Sequence, residues 1–316
     1  MIYKKLCGLV YCYLLLESVN TNISIIVSQS KDPFKHLAFE NWLLRDLRPT
    51  GHFLFLYSND PSVVMGKFQN PWKECDLKLM EENGIALVRR ISGGGCVYHD
   101  QGNLNFCLIS PLNQYDEQKN YQIILKALAD WGIKASVSER KDIRFDDYKF
   151  SGSAFKRTKD YCLHHGTLLV SADLNRLNIY LSSLPVNMEC KSLASVRSKV
   201  INLNEINPSI EKSDLIQSIV ESFKQCYPKA ESKIMFPSDF FKNVKVQDYF
   251  EFFKSDEWTW GATPAFKMTS ACGRFTCQVE KGKVVALEGE KAKDEFIGQA
   301  FFPFSKVQQH YHQFFK

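Results

Sequence analysis

Residues 89–100 read RRISGGGCVYHD, in which two arginines stand just before three consecutive glycines. Glycine loses more backbone freedom on folding than any other residue, so a glycine triplet needs a reason. One reason is a bend that no Cβ atom would fit. The other is a bare backbone whose N–H groups an anion can approach closely. Arg89 and Arg90 favour a loop that binds phosphate or carboxylate, and a tight turn remains the alternative.

The position of this segment excludes two common phosphate-binding motifs. The glycines lie between two predicted strands, whereas the dinucleotide-binding fingerprint needs a helix N-terminus behind its glycines. No Lys-Ser or Lys-Thr pair follows the triplet, so the segment is not a P-loop either. Any anion site here must therefore have a different architecture.

A second candidate site is KFSGSAFKRTKD, residues 149–160. Lys149 lies on a predicted strand directly before a turn of small residues, which would bring backbone close to whatever the lysine contacts. A single strand lysine is more often a solvated residue, so Lys149 alone carries little weight. The nearby HHGTLL (164–169) holds two adjacent histidines. They point to opposite faces of a strand, so we do not expect them to bind one metal ion together.

The elements around these segments predict a mixed α+β protein. Short β-branched or apolar runs predict strands at 23–29, 53–57, 62–66 and 103–109, and apolar residues at helical spacing predict helices at 71–84, 117–132, 173–182 and 211–226. Segment 236–257 is predicted to be an irregular connector, and EKGK (280–283) to be a hairpin turn. Strands and helices that mix without strict alternation indicate an α+β or mixed-sheet α/β domain.

Length and composition suit one large domain with a small one appended. We expect the main domain to span 23–245 and a small α+β accessory domain to span 255–316. Residues 1–22 are expected to lie outside the fold, and their apolar run is too short to span a bilayer. The net charge of +5 comes without an Arg/Lys-rich run, so neither nucleic acid nor a membrane is an expected partner.

The ten cysteines show no C-x-x-C pair and no regular spacing. A zinc site and a disulfide framework are therefore not expected. Scattered cysteines in a chain of this size are typical of reduced thiols in an intracellular protein.

Four stretches together resemble the lipoate–protein ligase A family, which is related in fold to the biotin–protein ligases. They are GKFQNPWKECD, RRISGGGCVYHDQGNLNF, KFSGSAFKRTKDYCLHHGTLLVSADLNRL and SVRSKVINL. The similarity runs from about residue 23 through DEWTWGATPAF, in the order found in the family. It implies a catalytic domain of the class II synthetase and biotin ligase type, with a mixed sheet flanked by helices.

The resemblance implies a two-step acyl transfer. Lipoate or octanoate attacks the α-phosphate of ATP, which gives the acyl-adenylate and pyrophosphate. A lysine of a lipoyl-domain protein then attacks the adenylate, and AMP leaves. The implied acceptors are the apo lipoyl domains of 2-oxo acid dehydrogenase E2 subunits and the H protein of glycine cleavage. The implied enzyme is a monomer in the cytoplasm, with the mitochondrial matrix as the alternative.

Residue matching to the family implies roles for particular positions. Lys149 is the implied catalytic residue, as a compact charge that donates to both carboxylate and phosphate. The adenylate is expected to contact Arg90, Gly95, Cys96, Val97, Tyr98, Lys149, Ala154, Arg140 and Thr167. Asp142 is the candidate ligand for Mg²⁺. The family shows Asn-Asp at that place, and this chain has Lys141 before Asp142, which leaves pairing of Asp142 with Lys149 as the alternative.

Three other functions stay open. Related transferases use pre-formed lipoyl-AMP, or take the acyl group from a carrier protein without ATP. Some of the latter pass it through a cysteine, and Cys190 lies near the place where such a cysteine would fall. A non-catalytic binding module is the third alternative, against which the retained Arg90 and Lys149 argue.

Overall fold

A computed structural model describes residues 23–182, 187–270, 273–289 and 292–301. The predicted extension 1–22 and the last part of the predicted accessory domain lie outside these residues. The strands are β1 Ile23–Ser28, β2 Phe53–Tyr57, β3 Ser62–Met65, β4 Ala86–Arg89, β5 Val97–His99, β6 Asn103–Pro111, β7 Ser136–Val137, β8 Ile143–Phe145, β9 Tyr148–Ser151, β10 Ser153–Arg157, β11 Tyr161–Leu169, β12 Asn187–Cys190, β13 Glu231–Met235, β14 Phe266–Thr269, β15 Phe275–Glu280 and β16 Lys283–Gly289.

The structure also contains α-helices, several of which are short. They are α1 Pro33–Trp42, α2 Pro71–Glu74, α3 Leu77–Glu82, α4 Glu117–Ala129, α5 Leu174–Tyr180, α6 Leu203–Ile206, α7 Lys212–Cys226 and α8 Val244–Lys254. Two π-helical segments, Leu43–Leu47 and Glu257–Gly261, add to them. Within the described ranges, no helix has the length and apolar character needed to cross a membrane.

The chain forms two compact units, each assembled from three stretches of sequence. The first unit contains the described residues up to Asn59 together with Gln101–Ala172 and Lys199–Tyr249. The second contains Asp60–Asp100, Asp173–Ser198 and the described residues from Phe250 onward. The division into 23–245 and 255–316 that the sequence suggests stays a prediction.

The first unit is built on a six-stranded sheet in the order β10-β11-β6-β2-β1-β13. β1 runs parallel to β2 and β13, and the other neighbours are antiparallel. All of β2 and nearly all of β6 are buried, which explains why FLFLY and NLNFCLI lack the alternation of a half-exposed strand. A second, three-stranded sheet, β7-β8-β9, belongs to the same unit. Helices α4 and α7 pack against each other.

The second unit contains two further sheets. In the order β4-β3-β5, β3 is parallel to β4 and antiparallel to β5. The sheet β12-β14-β15-β16 is antiparallel throughout. Its hairpin turns at Lys281 and Gly282, which have φ values of 49° and 69°. Two consecutive left-handed residues form the turn that matches the twist of paired strands, so the hairpin predicted at EKGK is confirmed.

Local sequence features account for much of this agreement. Asp32 accepts hydrogen bonds from the backbone nitrogens of Phe34 and Lys35 and so caps α1, and Pro33 occupies the first helical position. The helices predicted at 117–132, 173–182 and 211–226 correspond to α4, α5 and α7. The predicted α+β fold class, with mixed sheets and flanking helices, is confirmed.

Two predictions about local structure are wrong. The helix predicted over 71–84 breaks at Cys75, which is extended with φ −133° and ψ 148°, because Asp76 starts a new helix by accepting from the Leu79 nitrogen. Segment 236–257 is not an irregular connector, since it contains α8. Val246 and Phe253 are both buried, and their spacing of two helical turns gives α8 the apolar face that its many exposed residues obscure.

Candidate functional site

Lys149 lies on β9 of the first unit, where neighbouring backbone fixes its position. Its nitrogen donates to the Lys199 oxygen at 2.9 Å, and its own oxygen accepts from the Ile201 nitrogen at 3.1 Å. The side-chain Nζ is 2.9 Å from Oδ1 of Asp142. The Lys149 side chain is 24% exposed and that of Asp142 is 11% exposed. The ammonium is therefore partly shielded, held by one carboxylate, and still reachable from solvent.

The turn after Lys149 leaves room for the end of this side chain. A Cβ atom on Gly152 would lie 3.1 Å from Lys149 Nζ and 3.2 Å from its Cε. Thr167 holds the turn in place, because its Oγ1 accepts from the Gly152 nitrogen at 3.2 Å and its nitrogen donates to the Gly152 oxygen at 3.1 Å. The first unit thus brings together Lys149, Asp142 and Thr167, and gives the glycine of the Ser-Gly-Ser turn a steric reason.

The first unit contains two other residues predicted to contact the adenylate. Ala154 is on β10, opposite His165 of β11. Arg140 is exposed in the turn before β8, and among the described residues its side chain makes no hydrogen bond or ion pair. The adenylate contacts assigned to both residues stay predictions.

A buried polar cluster contains His165, which lies on the same strand as Thr167. His165 Nδ1 is 2.8 Å from Oε2 of Glu40, and Tyr57 donates to Oε1 of Glu40 at 2.9 Å. Glu40 is 2% exposed and His165 is 7% exposed. His165 and Thr167 are two residues apart on β11, so they point to the same face. Sequence reasoning did not single out Glu40, because an acidic residue inside a helical stretch resembles a solvated one.

The first arginine of the glycine segment has a structural role in the second unit. Arg89 is fully buried, and its guanidinium donates to the oxygens of Thr259, Lys67 and Gln69 and to Thr263 Oγ1, at 2.6–3.0 Å. Burial lowers the pKa of Arg89 to about 10, which still leaves it charged at neutral pH. Arg89 therefore joins β4 to the segments 67–69 and 259–263.

The second arginine organises the glycine segment from inside. Arg90 is 6% exposed, and its Nη2 donates to the oxygens of Gly93 and Gly95 at 2.7 and 2.8 Å. It also donates to the Val64 oxygen and to Ser92 Oγ, both at 3.0 Å. Because Arg90 binds the carbonyl groups of the segment, it fixes how the segment curves. Its expected contact with an adenylate stays a prediction.

The three positions of the segment do not require glycine for one common reason. Gly94 has φ 92°, a conformation that other residues adopt only with strain, so it serves the bend. A Cβ on Gly66 would lie 2.1 Å from the Gly94 oxygen, so the neighbouring loop must approach as bare backbone. A Cβ on Gly93 would meet nothing within 4 Å. Gly94 therefore serves a bend that also contacts the Gly66 backbone closely. No contact explains Gly93, for which an approaching anion remains the interpretation.

Ser195 stands against the end of the segment. Its Oγ accepts from the Cys96 nitrogen and from Gln69 Nε2, each at 2.9 Å. The Ser195 nitrogen donates to both carboxylate oxygens of Glu74, at 3.2 and 3.3 Å. A Cβ on Gly95 would lie 3.0 Å from Ser195 Oγ. A predicted adenylate donor, the N–H of Cys96, is thus aimed at an oxygen atom.

Ser195 and Gln69 lie within motifs, but no feature of the sequence selects them as site residues. Both lie in stretches that carried the family resemblance, SVRSKVINL and GKFQNPWKECD. Their meeting with Cys96 depends on contacts between residues 126 and 99 positions apart in the chain, which spacing alone does not reveal.

The remaining predicted donors are on β5. Val97 lies opposite Val64, and Tyr98 opposite Val63. The Tyr98 side chain is 1% exposed, with its ring 5.5 Å from that of Tyr180. The Tyr98 side chain is therefore shielded, and only its backbone could contact a ligand. Both assignments stay predictions.

Cys190 is half-buried at the end of β12, opposite Phe266. Its Sγ is 2.9 Å from the hydroxyl oxygen of Ser192. A hydroxyl does not take the proton of a thiol, whereas a nucleophilic cysteine needs an adjacent base or a positive charge. Cys190 as an acyl carrier stays an alternative without support from this contact.

The donor set for a metal ion is small. Among the described residues, no three His, Cys, Asp or Glu side chains form a group that could hold one. Mg²⁺ commonly uses one or two carboxylates and completes its shell with water and substrate phosphates. Asp142 fits that limited role, and the described residues offer no dedicated cage.

Taken by their chemistry, the two clusters can bind anions. The Lys149 ammonium supplies movable donors beside a turn without side chains, and the glycine segment supplies fixed backbone donors. Such groups suit a reaction in which negative charge develops on carboxylate and phosphate oxygens.

Comparison with known proteins gives a consistent result. The family described as lipoyl protein ligase A/B catalytic domain matches residues 32–224. A protein named lipoate–protein ligase A from Psychrobacter cryohalolentis is 40% identical over 250 residues, which are 77% of this chain and 74% of that protein. The crystal structure of P. falciparum LipL1 in complex with lipoate superposes with a TM-score of 0.66 at 29% identity, covering 84% and 83% of the two chains. A lipoate–protein ligase A structure bound with ATP gives a TM-score of 0.64 at 23% identity, covering 76% and 98%.

Proposed function

Because the chain belongs to the lipoyl protein ligase A/B catalytic domain family, we propose that it is an ATP-dependent lipoate–protein ligase. It activates lipoate, or octanoate, to the acyl-adenylate and transfers the acyl group to a lysine of a lipoyl domain. The named relative at 40% identity supports the ligase activity, and the lipoate-bound neighbour at 29% identity supports the substrate.

The observation that carries the proposal is the arrangement around Lys149. Its ammonium sits 2.9 Å from Asp142, next to the space that Gly152 leaves open. An ammonium has three donors, and among the described contacts Asp142 takes one of them. The others can bind the carboxylate of the acyl substrate and the α-phosphate of ATP, two anions that repel each other when brought together.

In the first step, the carboxylate oxygen attacks the α-phosphorus, and the bond to pyrophosphate breaks. Lys149 offsets the negative charge on the oxygens of both groups, which lowers the barrier without forming a bond to the enzyme. The N–H groups from Gly95 to Tyr98 bind oxygens of the adenylate, and Arg90 keeps the segment that carries them in shape. Holding the reactants in place removes much of the entropic barrier.

In the second step, the amine of the acceptor lysine attacks the acyl carbon, and AMP leaves. Lys149 stays beside the carbonyl oxygen and the phosphate as charge moves from one to the other. The Ser195 hydroxyl accepts the hydrogen bond of the Cys96 N–H. An adenylate oxygen would take the place of that hydroxyl, so this donor would keep an oxygen partner in the complex.

Mg²⁺ is proposed to enter with ATP, where it would neutralise phosphate charge, and Asp142 is the residue that would contribute a ligand. This role competes with the ion pair between Asp142 and Lys149. The acceptors are proposed to be the lipoyl domains of 2-oxo acid dehydrogenase E2 subunits and the glycine cleavage H protein. A monomer in the cytoplasm is the proposed state, in line with the bacterial source of the named relative.

A mass measurement on the acceptor tests the proposal. Purified protein is incubated with ATP, MgCl₂, lipoate and an apo lipoyl domain, and the acceptor mass is followed with time. We expect a lipoyl adduct that requires both ATP and lipoate. An acceptor that is acylated from octanoyl-acyl carrier protein without nucleotide would instead establish the transferase, in which case Cys190→Ala should abolish turnover.

A further inference from the structure

Two cysteine thiols lie side by side in the second unit. Sγ of Cys75 and Sγ of Cys96 are 3.6 Å apart and share a hydrogen bond. Cys75 directly follows α2, and Cys96 directly follows the glycine triplet. Neither thiol is in a disulfide. The pair therefore connects the end of a helix with the segment that carries the proposed adenylate donors.

The surroundings of the pair do not suit a metal ion. A structural zinc ion takes four ligands, and among the described residues no third His, Cys, Asp or Glu completes a metal-binding group with these two. Oxidation to a disulfide needs only the two sulfurs. Because the two sulfurs are already in contact, the bond forms once they are drawn closer together.

We propose that Cys75 and Cys96 form a modification site at which a hydroperoxide converts the two thiols to a disulfide that disables the glycine segment. The formation of the disulfide does not depend on the proposed ligase activity. Its effect on catalysis rests on that proposed function.

The reaction proceeds in two steps that balance. The Cys96 sulfur attacks the distal oxygen of the hydroperoxide and the O–O bond breaks. Cys96 becomes a sulfenic acid, and its thiol proton goes to the displaced oxygen, which leaves as water or an alcohol. The Cys75 sulfur then attacks Sγ of Cys96. The S–S bond forms, hydroxide leaves from Cys96 and takes the Cys75 proton as water. The two thiols have together supplied the two electrons that reduce the peroxide.

Burial decides which thiol reacts first. Cys75 is 3% exposed, whereas Cys96 is half-buried and so the more accessible of the two residues. The hydrogen bond with Cys96 and the burial of Cys75 hold the pKa of the Cys75 thiol well above its usual range. Cys75 is therefore a buried, protonated thiol, which suits a resolving cysteine that attacks a sulfenic acid formed on its neighbour.

The disulfide would change the site because the sulfurs must come closer. A disulfide bond is about 2.0 Å long, compared with the present 3.6 Å separation. Cys96 would be drawn toward α2, and its N–H, now 2.9 Å from Ser195 Oγ, would move with it. A misplacement of about 1 Å in a positioning group can lower a rate by about 100-fold.

Disulfide mapping on the unmodified full-length protein tests the site directly. The protein is treated with increasing hydrogen peroxide, remaining thiols are alkylated, and digested peptides are analysed by mass spectrometry. We expect a peptide pair linked through Cys75 and Cys96, lighter by two hydrogen atoms, before other cysteines oxidise. If other cysteines oxidise while this pair stays reduced, the proposal is wrong.

The same samples are assayed for acceptor lipoylation. We expect activity to fall by about 10- to 100-fold as the disulfide accumulates and to return on treatment with dithiothreitol. A complete disulfide with unchanged activity would overturn the effect on the segment. A protein without any ligase activity would refute the proposed function, and the peptide map would still decide the modification site.

Two variants separate this pair from the remaining thiols. Cys75→Ala should keep its activity without oxidant. With peroxide, its Cys96 has no partner thiol and oxidises beyond the sulfenic acid, so dithiothreitol should no longer restore the activity. Cys277→Ala removes another buried thiol of the second unit and should behave like the unmodified protein. Identical peroxide responses of these two variants would contradict the proposal. If Cys75→Ala melts abnormally, the peptide map of the unmodified protein provides the decision.

Discussion

Lys149 Nζ lies 2.9 Å from Asp142 Oδ1, and the two side chains are 24% and 11% exposed. Because Asp142 is the more buried partner, Lys149 neutralises a carboxylate that is largely shielded from water. This role is separate from the proposed contact of Lys149 with the substrate. This dual role connects the stability of the first unit with the proposed chemistry. Substitutions can therefore separate the effect of Lys149 on stability from its effect on the reaction rate.

Lys149→Met is expected to lower the rate of lipoylation by about 10²–10³-fold, because one preorganised donor is lost. Lys149→Arg should fail nearly as badly, since a planar fork does not replace a compact ammonium. Rates are measured separately from ATP plus lipoate and from pre-made lipoyl-adenylate. The control is Lys159→Met at an exposed lysine nearby. Near-normal rates from both starting points would refute the assignment of Lys149.

The ion pair adds an expectation about stability. Lys149→Met leaves the Asp142 carboxylate without its counter-charge, so the protein should unfold at lower urea concentration than the parent. The double variant Lys149→Met, Asp142→Asn should recover part of that stability and none of the activity. A Lys149→Met variant as stable as the parent would show that the pair contributes nothing to folding.

Gly152→Ala should impair catalysis with little effect on folding. The new Cβ would lie 3.1 Å from Lys149 Nζ, and this flexible tip can move aside at low cost in stability. The shifted ammonium would no longer occupy its position, so we expect about 10- to 100-fold lower kcat with a nearly unchanged melting temperature. Gly51→Ala, where a Cβ meets nothing within 4 Å, is the matched control. A Gly152→Ala enzyme as active as Gly51→Ala contradicts the steric role.

The two arginines of the glycine segment should give different results when replaced by lysine. Arg89→Lys leaves buried acceptors in two distant segments unpaired and should cost about 3 kcal/mol or more in the free energy of unfolding. Arg90→Lys removes the paired hydrogen bonds to the carbonyl oxygens of Gly93 and Gly95. The segment should then hold its shape less well, and the main expected effect is weaker ATP binding. Urea titration and calorimetry measure the two effects. Unchanged ATP affinity in Arg90→Lys would leave the segment as a structural turn.

Two buried histidines predict how stability depends on pH. Burial lowers the pKa of His36 from 6.5 to about 4 and that of His164 from 6.5 to about 3. Below pH 6.5 the unfolded chain therefore takes up protons that the folded protein does not, and stability falls as the pH decreases toward 4. Each histidine contributes a slope of up to about 1.4 kcal/mol per pH unit. Urea unfolding between pH 7.5 and 4.5 measures it, and His36→Gln should show a shallower decline. An equally steep decline in that variant would exclude His36 as a cause.

The strands and the family are predictable from the sequence, whereas most of the long-range contacts are not. The resemblance and the fold class are confirmed, because long motifs in a fixed order and runs such as FLFLY depend on local patterns. Helix α8 is not predicted from the sequence, since its apolar face is narrow and aromatic residues outside that face, such as the exposed Phe252, hide the helical period. The sequence indicates the pairing of Lys149 with Asp142 as one of two alternatives. It does not indicate the contact of Ser195 with Cys96, because nothing local relates two residues 99 positions apart.

The most direct test of the proposed function is lipoate-dependent exchange of labelled pyrophosphate into ATP, measured without any acceptor. This exchange reports the reversible activation step alone, which distinguishes a ligase from a transferase. We predict exchange that requires lipoate and is lost in Lys149→Met but retained in Cys190→Ala. The absence of exchange in the folded protein, together with nucleotide-independent acylation of a lipoyl domain, would contradict the account.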